Sequence, residues 1–139
     1  DSLQAAILNV KLKYLDGWIE RRIQVADRYL LELNEVDGIV LPVKQDWAKQ
    51  AYHLFVIRAK RRDELRLYLT EKDIQTGVHY PISLPKLKAY EYTGQANEQM
   101  FANISDASLL SLPIGEHLSI EDVKKVTTAI RSFYGVKCE

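Results

Sequence analysis

Residues 51–84 read AYHLFVIRAKRRDELRLYLTEKDIQTGVHYPISL, and three textures in that stretch decide the fold. Tyr52 to Arg58 is rich in aromatic and β-branched side chains, which suit a buried pleated strand. From Arg61 to Asp73 the texture changes. Leu65 and Leu69 stand one turn apart among charged residues, the spacing of an amphipathic helix. Gln75 to Tyr80 then reads as a second strand, and Pro81 ends it because proline cannot donate to a ladder.

Working toward the N-terminus, Ile39 to Val43 is a short apolar run between the Asp37-Gly38 turn and a polar stretch over 44–50. Two helices are expected before it. Residues 2–14 place Leu3, Ala6, Ile7, Val10 and Tyr14 on one face. Leu15-Asp16-Gly17 breaks that pattern, and Asp16 is placed to cap a second helix from Trp18 to Asn34. That helix turns Ile19, Ile23, Ala26, Tyr29, Leu30 and Leu33 inward. Toward the C-terminus come a loop from Pro85 to Gly94, a helix over 97–108 and a strand over 109–112 stopped by Pro113. Ser119 opens the last helix, with Glu121 and Asp122 in its first turn where they complement the helix dipole. Val123, Val126, Ile130 and Phe133 form its inner face, and Gly135 sits where a helix end favours a left-handed residue.

Two helices followed by strands with interleaved helices predict one α/β (α+β) domain. Its sheet is expected to be short, mainly antiparallel and covered by helices on one face. Residues 1–36 are expected to form a helical arm, and residues 37–139 a compact sandwich. The arm's apolar face, Leu3, Ile7, Val10 and Tyr14, then needs a partner outside the chain.

Composition excludes several classes of function. Lys+Arg and Asp+Glu both number 19, so no basic excess points to nucleic acid or an anionic membrane. Hydrophobic residues make up 47%, an ordinary soluble composition, and no apolar run approaches the roughly 20 residues that span a bilayer. The lone cysteine, Cys138, cannot make an internal disulfide, and no signal-peptide pattern is present. A cytoplasmic location is expected. The chain starts at Asp1 rather than Met, directly inside a helical pattern, as expected of an excised or processed fragment.

A serine hydrolase of the nucleophile-elbow type would show G-x-S-x-G, which is missing. The six glycines are scattered, so no phosphate-cradling loop is evident. His53, His79 and His117 lie far apart, with no partner at metal-ligand spacing. His53 is expected as a core or sheet-face histidine and His117 as a solvated loop residue. His79 ends a strand that enters a proline-fixed loop, a place where side chains are aimed at a site, although composition alone favours a structural role for it. No lysine sits among the glycine, serine and buried carboxylate that would anchor a Schiff-base cofactor.

Several strings resemble one family in the same order. DSLQAAILNVKLKYL (1–15) is similar to a helix of DegT/StrS-type (DegT/DnrJ/StrS) aminotransferases that carries Leu-Gln-Ala-Ala. WIERRIQVADRYLLEL (18–33) resembles the family's long helix with an Arg-Arg pair. Residues 51–84 resemble its Tyr-His-x-Phe-Val-Ile segment, then Arg-Asp, then Gly-hydrophobic-His-Tyr-Pro. LKAYEYTG (87–94) and LLSLPI (109–114) continue the order.

The resemblance implies the small C-terminal domain of a fold type I aminotransferase, normally dimeric. Such an enzyme moves an amino group from glutamate to a nucleotide-linked keto sugar. It also implies that pyridoxal phosphate (PLP) and its Schiff-base lysine belong to a large domain absent from this chain. The fragment alone is then inactive, with no catalytic residue, cofactor or metal of its own. His79 and Tyr80 match the His-Tyr-Pro segment near the substrate, and Tyr90 follows in the next loop. The three are expected to position the sugar nucleotide. Where many members carry Pro-Leu-His after His-Tyr-Pro, this chain has Ser83-Leu84-Pro85, so one histidine contact is missing. The alternative is a non-enzymatic interaction or regulatory module, of the pleiotropic-regulator kind, on the same small-domain fold.

Overall fold

In the computed structural model of the protein, which describes residues 1–136, two helices open the chain: α1 (Ser2–Leu12) and α2 (Leu15–Leu33). The Asp1 side chain caps α1 by accepting from the Leu3 N–H at 2.7 Å. α2 begins three residues earlier than expected. Asp16 therefore lies in its first turn, where it meets the positive end of the dipole, and Tyr14 stands at the cap without a side-chain bond. The expectation of an Asp16 cap is thus corrected.

The two helices differ in what they bury. α1 has no buried residue, and Leu3, Ile7, Val10 and Tyr14 are all exposed. α2 buries Val25, Ala26, Tyr29 and Leu33, which recur at helical spacing on one face. Tyr29 is wholly enclosed, its ring 5.0 Å from that of Phe55 and its hydroxyl donating to the Pro113 carbonyl at 2.9 Å. The second half of α2 is therefore a wall of the core, and only α1 and the first turns of α2 stand apart from it. Because α1 buries nothing, Ile7→Glu is expected to change stability by less than about 0.5 kcal/mol, the usual range for surface substitutions. Urea unfolding checks this, and a larger loss would mean that α1 is packed in solution.

The sheet runs β1 (Ile39–Val40), β2 (Phe55–Ala59), β3 (Leu109–Leu112), antiparallel throughout. Phe55, Ile57 and Ala59 alternate into the core, as the period of two requires. They meet α2, α3 (Arg62–Thr70) through Leu65 and Leu69, and α5 (Ile120–Phe133) through Val123, Val126 and Ile130. α5 starts on a capping box: the Asp122 N–H donates to Ser119 Oγ, and the Ser119 N–H donates to the Asp122 carboxylate.

Three expectations are corrected. Tyr52, His53 and Leu54 precede β2 rather than joining it, and His53 is exposed, not a sheet-face residue. Tyr52 has φ +49°, in the left-handed region, which takes it out of strand geometry. The strand expected over 75–80 shrinks to one bridge, Gly77 opposite Ser111. The helix expected over 97–108 is cut to α4 (Phe101–Ser105) between tight turns at Gln95–Asn97 and Asp106–Ser108. There the Asn103 amide donates to the Gln95, Ala96 and Glu98 carbonyls, a side-chain alternative to helical bonding. Among the described residues, no helix is long and apolar enough to cross a membrane. Cys138 lies outside the described residues.

Candidate functional site

The bridge at Gly77 aims His79. Gly77 and Ser111 exchange backbone bonds at 3.0 and 2.7 Å, which fixes the chain against β3 two residues before the histidine. The imidazole then folds back over Gly77, and a Cβ added there would lie 2.6 Å from its ring. Any side chain at 77 would have to displace the imidazole, so glycine there lets the ring lie close to the backbone. His79 Nδ1 lies 2.9 Å from Ser111 Oγ, and Ser111 is buried. That contact orients the ring and, among the described residues, leaves Nε2 without a hydrogen-bond partner.

Tyr80 follows through a cis peptide bond, its ring edge-on to His79 with centroids 5.6 Å apart. It is 73% exposed and leans over an apolar groove of about 630 Å³. Ile82, Leu84, Leu87, Ala102 and Leu109 give that groove its apolar walls, and Ser83, Ser105 and Asp106 its polar ones. The structure therefore brings His79 and Tyr80 together. Tyr90 sits on the turn Lys88–Thr93, partly exposed, and does not line the groove. His117 occupies an exposed turn, as expected.

Sequence reading missed the polar cluster beneath this groove. The Lys86 ammonium donates to both Asp106 carboxylate oxygens, at 2.9 and 3.1 Å, and to the Asn103 carbonyl at 2.6 Å. The Ser83 N–H donates to Asp106 at 3.0 Å, and its hydroxyl donates to Asn103 Oδ1 at 2.6 Å. Lys86 first, then the Ser83 N–H, holds the Asp106 carboxyl below its ordinary range, against the opposing effect of burial. The only signal in the sequence was a polar Asn103 and Asp106 three apart in a segment expected to be helical, which does not distinguish a solvated face from a clamp.

A carboxyl whose pKa is lower folded than unfolded adds stability that is complete above its unfolded value, about 3.9. That contribution is lost as pH falls through the depressed folded value. Asp106→Asn is therefore expected to be less stable than the wild type near neutral pH, with the gap closing in the acid range. Chemical denaturation at a series of pH values measures it, and a gap independent of pH would contradict the Lys86–Asp106 assignment.

Residues 1–131 match the DegT/DnrJ/EryC1/StrS aminotransferase family. The chain belongs to this family. It is 42% identical over 133 residues to the erythromycin biosynthesis sensory transduction protein EryC1 of Saccharopolyspora erythraea, covering 95% of this chain and 36% of that protein. A dTDP-3-amino-3,6-dideoxy-alpha-D-galactopyranose transaminase of Aneurinibacillus thermoaerophilus is 40% identical over 133 residues, covering 96% of this chain and 36% of the relative. The crystal structure of S. venezuelae DesV in complex with a ketimine intermediate superposes with a TM-score of 0.88 at 38% identity. That match covers 99% of this chain and 38% of DesV. The chain thus spans about a third of the length of these relatives.

The described lysines of this family member do not fit a Schiff-base role. All lie at the surface by their exposure, and Lys86 is bonded to Asp106 and Asn103 as a structural cation. A Schiff-base lysine needs burial to depress its pKa and a free amine. Among the described residues, no group of three His, Cys, Asp or Glu could hold a metal ion. What the corner does offer is a half-buried imidazole with one free nitrogen, an exposed phenol and an apolar groove. These can bind and orient a polar ring compound.

Proposed function

We propose that this chain is the C-terminal small domain of a PLP-dependent aminotransferase that transfers an amino group from glutamate to a nucleotide-linked keto sugar. The observation that carries the reading is the His79–Tyr80 corner, held on Ser111 and presented beside the groove in a member of an aminotransferase family. His79 hydrogen-bonds the sugar or its diphosphate through Nε2. Tyr80 stacks on an apolar ring face, and Tyr90 borders the same substrate from the following loop. Their work is orientation, which lowers the barrier by holding reacting atoms in line. The cofactor and its lysine are supplied by the large domain. The exposed apolar residues of α1 pack on that domain or on a second subunit, which removes them from water.

The transaminase relative from Aneurinibacillus acts on a dTDP-linked sugar by name, so dTDP-linked substrates are the ones to test first. A regulatory module on the same fold has in its favour the sensory-transduction wording in the name of the Saccharopolyspora relative. One assay separates the two. The protein at its full coding length, loaded with PLP and mixed with glutamate, is expected to convert the cofactor to its pyridoxamine form, followed by absorbance. It should return to PLP on adding a dTDP-linked keto sugar. A protein that binds no PLP and converts no glutamate belongs to the regulatory reading.

A further inference from the structure

The segment between Ser83 and Glu98 is held in an unusual way. No residue from Leu84 to Ala102 is buried, so core packing does not fix it. Its two ends are instead joined by one side chain. Asn103 Oδ1 accepts from the Ser83 hydroxyl at the start of the loop. Asn103 Nδ2 faces the Gln95, Ala96 and Glu98 carbonyls at its end, at 3.0, 3.3 and 3.1 Å. Lys86 grips the loop from within, through the Asn103 carbonyl and the Asp106 carboxylate. Asn103 and Asp106 are buried, and every polar group named here finds its partner inside the cluster.

A satisfied polar cluster of this kind, besides what it adds to stability, defines one geometry sharply. What it defines is the groove. Ser83 and Asp106 line it together with Tyr80, and the loop closed by the clamp carries Tyr90. The cluster sits among the turns that wall the groove, away from the core that α2, α3 and α5 cover.

We propose that Asn103, with Lys86 and Asp106, is the positioning unit for the sugar-nucleotide half of the reaction. It sets the distance between the Tyr80 corner and the loop of Tyr90, so that both meet one ligand. The proposal rests on the aminotransferase reading above. None of the three touches the substrate; they act through the loop and the groove wall.

The test uses the full-length, PLP-loaded protein and compares Asn103→Ala, Lys86→Met and Lys86→Arg. Dissociation constants for dTDP-glucose are read by calorimetry, the glutamate half-reaction by absorbance, and loop opening by limited proteolysis between residues 83 and 98. Asn103→Ala and Lys86→Met are expected to weaken dTDP-glucose binding by about 10- to 100-fold, the effect of losing one well-aligned hydrogen bond to a charged group. They should also open the loop to protease while leaving the glutamate half-reaction unchanged. Lys86→Arg, which keeps the cation beside Asp106, should recover most of the binding. Unchanged binding in the first two variants overturns the proposal. So does an equal loss in both half-reactions, which would mark a general structural role. A wild type that binds dTDP-glucose but does not react with glutamate sinks the aminotransferase reading and leaves the clamp to be judged by binding and proteolysis. A wild type that binds no dTDP-glucose sinks both.

Discussion

Phe55→Ala is expected to remove about 3–5 kcal/mol of stability, the usual cost of truncating a large core aromatic. Phe55 is wholly enclosed at the start of β2. Its ring lies 5.0 Å from Tyr29 on α2 and 5.9 Å from Tyr52, so it joins the sheet to the helix that covers it. Its strand partner is Leu112, also buried, which leaves no surface side chain able to fill the space. Small domains hold only about 5–15 kcal/mol in all. The variant should therefore unfold at far lower urea concentration, with far-UV circular dichroism as the probe. A shift of under about 1 kcal/mol, typical of a surface change, would mean that the sheet does not pack on α2 as described.

The second large effect concerns activity. His79→Ala in the full-length protein is expected to lower kcat/KM for the nucleotide sugar by about 10- to 150-fold, the loss of one hydrogen bond to a charged or strongly polar group. The half-reaction with glutamate should keep its rate, because the proposed contact is with the sugar nucleotide alone. Ser111→Ala separates contact from aim. Ser111 is buried beneath the imidazole and orients it, so its loss should reproduce part of the His79 effect without removing the ring. Steady-state kinetics with each substrate varied in turn measures both variants. An equal fall in the glutamate half-reaction would show that His79 serves the whole active site and does not read the sugar.

The parts of this fold that were legible in the sequence are those where local and tertiary preferences agree. Phe55, Val56 and Ile57 favour a strand by residue type, and the alternation of Phe55, Ile57 and Ala59 faces them correctly onto α2 and α5. Ser119 and Asp122 announce the start of α5 by chemistry that acts within four residues. Where the reading failed, a distant contact overrode the local pattern. Gln75 to Tyr80 has strand composition, yet only Gly77 pairs, because the chain then turns to fold His79 over that glycine. Residues 97–108 have helical spacing, but Asn103 spends its amide on carbonyls up to eight residues earlier. No period reports such a bond. His53 was misplaced because Tyr52 takes a left-handed conformation that its aromatic side chain gave no reason to expect.

The candidate site divides in the same way. His79 stands out as the end of an expected strand running into proline, and the resemblance to the family implies it together with Tyr80 and Tyr90. The clamp of Ser83, Lys86, Asn103 and Asp106 was not visible, since its members are spread over more than a turn of any regular element and meet only when the loop closes. Ion pairs elsewhere, such as Lys44 with Asp27 or Arg61 with Glu64, join exposed groups and are of the kind that contributes little. The Lys86–Asp106 pair differs because its carboxylate is buried and bonded on both oxygens.

The central claim is that this chain shapes the substrate side of a PLP enzyme and does not itself carry the cofactor lysine. The most direct measurement is to load the full-length protein with PLP, reduce it with borohydride and map the adduct by mass spectrometry. The account predicts one stoichiometric adduct on a lysine outside residues 1–139, with only scattered substoichiometric labelling within them. A stoichiometric adduct on a single lysine of this chain would contradict it.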